Sequence, residues 1–135
     1  MLTRWEFRQQ FCQDTCDGNL IDDRYNLYFK ENVQVGDGAT VSYWGDMEAY
    51  TVIKKTAKTL TLRRCKATLD PDWKPDFVPG GFFGRVMNNS EQTYTYEEDE
   101  QGRVIRAFWS DVEKRYKWQG LYVSPGRHEF YDYNF

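Results

Sequence analysis

The apolar positions change rhythm along the chain, and each rhythm predicts a different element. Over residues 3–17, Trp5, Cys12 and Cys16 fall on one side of a helix and Phe7 and Phe11 on another. Thr3 and Glu6 have the spacing of a capping box, in which hydroxyl and carboxylate each satisfy an orphan N–H of the first turn. Gly18 is the expected C-terminal stop. A helix apolar on two sides must touch two things, either core and partner or two parts of the core. The next segment fits two patterns: Tyr25, Leu27 and Phe29 alternate as in a strand, while Ile21, Tyr25, Tyr28 and Phe29 share a helical face. The alternation favours a strand or extended arm. Residues 1–34 thus read as one N-terminal helix followed by an arm.

From Val35 the period is two. Ala39–Trp44 and Tyr50–Lys55 read as strands around a turn at Gly45-Asp46, and a short connection at Ala57-Lys58 leads into the alternating Thr59–Arg63. Connections this short cannot hold a parallel crossover, so the meander is antiparallel. Residues 66–91 break the rhythm with Pro71, Pro75, Pro79, Gly80, Gly81 and Gly84 and read as a long aromatic loop. Strand signals resume at Gln92–Glu97, Arg103–Trp109, Arg115–Trp118 and Leu121–Val123, with turns at Asp99–Gly102 and about Asp111. The expected fold is mainly β: a small antiparallel β-barrel or rolled sheet over residues 35–135, with one N-terminal helix.

Composition supports this reading. At 135 residues the chain has the size of one domain, and its 5 Trp, 10 Tyr and 9 Phe suit a half-buried pleated surface. With 18 basic against 21 acidic residues the net charge is −3, so whole-molecule attraction to nucleic acid or anionic membrane is not implied. No apolar run approaches the ~20 residues that span a bilayer, and the start MLTRWEFRQQ has no signal-peptide core. The expectation is a soluble, cytoplasmic protein with no membrane partner.

Motifs for chemistry are scarce. His128 is the one histidine, and no nucleophile-elbow sequence accompanies it, so no catalytic residue is assigned and the protein is read as a non-enzyme. Cys12 and Cys16 lie one helical turn apart and with Cys65 and His128 would make a Cys₃His zinc set. Two of those four ligands are isolated in sequence, and the simpler reading is half-buried cysteines, with no metal and no cofactor. Asp70, Asp72 and Asp76 lack the glycine and the bidentate glutamate of a calcium loop. The run Glu97–Glu100 is a solvated turn.

Two sets of residues suit binding. Lys54, Lys55, Lys58, Arg63 and Arg64, with Trp44 and Tyr50 nearby, combine cations and aromatics as a backbone-tracking, base-stacking surface does. The bland alternative is a charged edge hairpin that resists aggregation. The second set is aromatic: Trp5, Phe7 and Phe11 in the helix, and Trp73, Phe77, Phe82 and Phe83 in the long loop. These are residue types that protein interfaces favour, although a packed loop would use them equally well.

The segments VGDGATV at 35–41, AYTVIKKTAKTLTL at 49–62 and GRHEFYDYNF at 126–135, with Lys66-Ala-Thr68 and Gln92–Tyr96, resemble a family of small proteins. These are encoded by bacteriophages and other mobile elements of gut Firmicutes. The resemblance covers residues 35–135 and leaves 1–34 outside. It brings no activity, so no functional residue is carried over. What it implies is context: an accessory protein acting in a bacterial host cell. The leading expectation is an inhibitor of a host defence system, anti-CRISPR-like, binding a defence protein or ribonucleoprotein through the aromatic set. Nucleic-acid binding through hairpin 54–66 is the alternative, and nucleotide binding or sequestration, which needs a deep pocket, is a third.

Overall fold

The computed structural model describes residues 1–11, 18–78, 85–86 and 91–131, with side chains for 1–11, 22–76 and 91–131. Helix α1 (Arg4–Phe11) begins as the capping box requires. The Glu6 N–H donates to Thr3 Oγ1 at 3.1 Å, and the Thr3 hydroxyl donates to Glu6 Oε1 at 3.0 Å. Residues 12–17 of the expected helix lie outside the described residues. Gly18 does not end a helix; it opens a second one, α2 (Gly18–Asn32). The expected single helix is therefore two, and Tyr25–Phe29 is helical rather than a strand or arm. Burial gives the reason. Tyr25, Phe29 and Val33 recur every four residues and are 2%, 2% and 1% exposed, whereas Leu27 of the alternating pattern is 38% exposed.

Ten strands follow: β1 (Gly38–Ser42), β2 (Met47–Lys55), β3 (Thr59–Arg64), β4 (Lys66–Leu69), β5 (Phe77–Val78), β6 (Arg85–Val86), β7 (Tyr94–Glu97), β8 (Val104–Ser110), β9 (Arg115–Trp118) and β10 (Leu121–Pro125). Six of them close into a barrel in the order β1-β10-β9-β8-β3-β2, each antiparallel to its neighbours. The expected barrel is thus present, as an up-and-down meander interrupted once. The interruption lies between β3 and β8, where β4 pairs with β7 and β5 with β6. Part of the expected loop at 66–91 is therefore strand. Ala67 and Leu69 face Tyr96 and Tyr94 across the β4–β7 ladder, a partnership invisible from residues 66–69 taken alone.

The barrel interior is filled by Ala39, Val41, Tyr50, Val52, Leu60, Leu62, Ile105, Ala107, Trp109, Tyr116 and Val123. A β-bulge between Val52 and Lys54 matters here. By strict alternation after Tyr50 and Val52, Lys54 would point into the core; the extra residue Ile53 places it opposite Thr61 instead. Helix α2 belongs to the same core through Phe29, and Val33 joins it just after the helix ends. Phe29 meets the Tyr116 ring edge-on at 5.8 Å, and Lys55 Nζ donates to the Val33 carbonyl at 2.9 Å, just past the end of the helix.

The chain after β10 forms a strap, residues 126–131, against the outer residues of β1 and β2. Thr40 Oγ1 donates to the Gly126 carbonyl at 2.7 Å and accepts from the His128 N–H at 2.9 Å. Met47 and Phe130 exchange two backbone bonds, of 2.9 and 3.0 Å. Thr40, Ala49 and Thr51 are consequently buried although they point away from the core. Gly38 allows this approach, because a Cβ there would stand 2.6 Å from Arg127 Cγ. Among the described residues no helix is long and apolar enough to cross a membrane.

Candidate functional site

The strap side gathers four arginines and three glutamates. Arg64, at the end of β3, holds Glu129 with both Nη atoms at 2.8 Å and reaches Glu48 through Nε at 3.1 Å. Burial works against the Arg64 charge, but Glu129 and Glu48 more than offset it and keep the group charged. Arg103 donates to the Tyr50 hydroxyl at 2.6 Å and the Tyr43 hydroxyl at 3.1 Å. Burial, with Glu48 beside it, pushes the Tyr43 hydroxyl up to about 12. Further along, Glu98 accepts from Arg63 at 3.0 Å, Thr51 at 2.9 Å and Arg127 at 3.3 Å. Burial raises the Glu98 carboxyl, but those donors pull it below the ordinary carboxylate range. Every cation here has an anion, which describes a clamp holding the strap to the barrel.

The expected nucleic-acid surface is divided by this arrangement. Arg63 and Arg64 lie opposite Thr51 and Tyr50 in the middle of β2 and are engaged with Glu98 and Glu129, while Lys54 and Lys55 end that strand and Lys58 lies in the turn beyond it. Lys55 is turned to Val33, and Lys58 pairs with Asp111 at 3.1 Å. Tyr50 is a core residue, 0% exposed, so its ring is not offered to a base. Trp44 is 94% exposed but sits in the β1–β2 turn, remote from the lysines. What the structure does bring together is Lys54, Thr61 and Arg106, side by side on the outer face of β2, β3 and β8. With Thr56 and Thr59 they line a shallow depression of about 280 Å³. Exposed Phe108 lies on the same face of β8.

The aromatic set is divided as well. Phe7 is buried against Tyr25 and Tyr28, with ring centroids at 5.4 and 5.2 Å, so it anchors α1 on α2. Trp5 and Phe11 are exposed by 70% and 53%. Trp73 is half-buried in the turn after β4. Phe82 and Phe83 lie outside the described residues, as does the side chain of Phe77. Of the considered metal ligands, Cys65 is buried with its Sγ 3.1 Å from Thr51 Oγ1, and Cys12 and Cys16 lie outside the described residues.

His128 faces a different place, a cleft of about 500 Å³ between the N-terminal segment and β9–β10. The Leu2 N–H donates to the Tyr28 hydroxyl at 2.7 Å and the Tyr25 hydroxyl donates to the Leu2 carbonyl at 3.1 Å, which pins Leu2 to α2. Arg4 contributes a guanidinium from the start of α1, paired with Asp22 at 2.8 Å. Arg115 contributes a second from β9. Its Nε is buried with no hydrogen-bond partner among the described residues, and its guanidinium lies 4.0 Å from the Tyr122 ring centroid. Burial pushes the Arg115 guanidinium down, and the Arg4 charge acts in the same direction. Of these cleft residues only His128 was weighed for chemistry in the sequence. The available signal was the alternation of Arg115-Tyr116-Lys117-Trp118, which sends two cations to one face: Glu113 meets Lys117 and leaves Arg115 without a carboxylate among the described residues. Comparison with protein-family models, with curated proteins and with solved structures gives no match to this chain.

Proposed function

We propose that the protein acts by binding and not by catalysis, as an accessory protein of a phage or mobile element that engages a host defence protein or ribonucleoprotein. The mobile-element setting is what the sequence resemblance implies. The observation in favour of a protein contact is Trp5. It stands 70% exposed on a helix whose opposite side is anchored by buried Phe7, and Phe11 adds a second exposed ring. A large aromatic on a rigid element loses little conformational freedom when it enters a partner's pocket. The filled barrel interior and the mutually neutralised strap arginines serve stability, which leaves the outer surface for recognition.

One observation favours nucleic acid as a second reading. Lys54 and Arg106 flank Thr61 without a carboxylate among the described residues, and Phe108 stands 55% exposed on the same face. This surface differs from the one expected from the hairpin alone. A single experiment separates the readings: capture by tagged protein from bacteria expressing defence systems, with and without nuclease. We expect a protein retained after nuclease and lost with Trp5→Ala, a variant whose stability stays within about 0.5 kcal/mol of the parent. Capture that collapses with nuclease, and survives Trp5→Ala, would reject the protein-contact reading in favour of the β2–β3–β8 surface.

A further inference from the structure

We infer that the cleft between the N-terminal segment and β9–β10 is a binding site for a phosphate monoester, a small molecule with a dianionic head and an apolar body. Arg115 is the reason. A guanidinium offers five donors in a rigid fork, and buried polar groups are normally hydrogen-bonded. Here Nε is buried without an acceptor, no carboxylate bonds the other nitrogens among the described residues, and the Tyr122 ring fixes the plane of the fork from one side. The contrast is on the same strand: Lys117, two residues on, has Glu113.

The surroundings select the ligand class. Arg4 brings a second positive charge to the cleft, close enough to oppose the charge of Arg115. Asp22 holds one Arg4 nitrogen at 2.8 Å, so a phosphate group, with three acceptor oxygens, suits the open fork of Arg115 together with the remaining Arg4 donors better than a single carboxylate does. Ser124 continues the β9–β10 ladder one step beyond the Val123–Tyr116 pair, which puts its hydroxyl beside Arg115, and His128 adds a ring nitrogen. Leu2 and Pro125 supply an apolar wall. A space of about 500 Å³ lies within the range of small-ligand clefts and exceeds what a bare phosphate fills. The site lies apart from the β2–β3–β8 surface and does not depend on the protein-contact reading.

The test is a titration of the whole chain with inorganic phosphate, adenosine monophosphate, adenosine and acetate at matched ionic strength, read by calorimetry and by the amide signals of Ser124 and Gly126. We expect both phosphates to bind at these amides, the monophosphate more tightly than inorganic phosphate, and adenosine and acetate not to. Arg115→Gln should weaken the monophosphate roughly tenfold to a hundredfold, the loss of a charged hydrogen-bond donor. Ser124→Asp, which offers Arg115 a carboxylate from within the chain, should keep or raise the melting temperature and abolish binding. This second variant answers the question even if Arg115→Gln does not fold. Absence of phosphate binding would overturn the inference, as would adenosine or acetate matching the monophosphate. Unaltered binding in Ser124→Asp would overturn it too.

Discussion

On the strap side of the barrel Arg64 meets both oxygens of Glu129 at 2.8 Å, and Arg63 and Arg127 share Glu98. Around the wall, on β9–β10, Arg115 has an aromatic ring and no carboxylate among the described residues. Both arginines sit on strands of one barrel and both are partly buried, yet one is closed by its own chain and the other is open. A guanidinium enclosed by carboxylates and backbone carbonyls holds elements together, and removing a partner leaves a charge stranded. One that keeps donors unfilled beside a cleft has them free for something that arrives from outside. An unpaired cation is therefore the better pointer to recognition, and a dense ion-pair network the better pointer to architecture.

The comparison breaks if the two arginines respond alike to the same substitution. Arg64→Met should cost about 2–3 kcal/mol, because it strands the poorly exposed Glu129 carboxylate and loosens the strap. Arg115→Met, which strands no carboxylate, should stay within about 0.5 kcal/mol. Urea unfolding of the two variants decides it, and equal losses would remove the distinction.

A smaller effect sharpens the argument inside the core. The Tyr116 hydroxyl is buried without a partner among the described residues, and burial pushes it up to about 12. Unlike Arg115 it lines no described cleft, so its orphan atom is a burden and not an opportunity. Tyr116→Phe should raise stability by about 1 kcal/mol, measured as a shift in urea midpoint at constant slope. A loss would point to an acceptor for that hydroxyl.

The smallest effect concerns acid. Glu98 titrates below the ordinary carboxylate range in the folded chain, so its contribution is present above the unfolded value of about 4.3. It disappears as the pH falls through the lower, folded value. Glu98→Gln should flatten the acid limb of the stability curve between those values and change little at lower pH. A limb as steep in the variant as in the parent would show that Glu98 does not carry the acid sensitivity.

Much of the barrel was legible from local pattern. The six wall strands fall where a period of two is bounded by turn chemistry, and short connections dictate antiparallel neighbours, as between Tyr50–Lys55 and Thr59–Arg63. The capping box of Thr3 and Glu6 likewise marked the first turn of α1. Where two periods competed, in Tyr25–Phe29, sequence could not arbitrate. The answer depended on which side chains a barrel mouth and α1 would bury. Strand β4 escaped notice because a four-residue segment becomes strand only when β7, distant in the chain, lies beside it.

The candidate sites were less legible, for one physical reason. Sequence lists charges, but availability depends on partners. The cluster Lys54, Lys55, Lys58, Arg63 and Arg64 looked continuous along the chain, yet the fold turns Lys55 to Val33 and pairs Arg63 and Arg64 with glutamates 35 and 65 residues away. What the amino-acid order determined by itself was the alternation, the turns and the first helical cap, all of which rest on contacts within a few residues. Closure of the barrel, burial of Tyr50, the clamp on the strap and the open fork of Arg115 were decided by tertiary structure, because each depends on groups that only folding brings within hydrogen-bond reach.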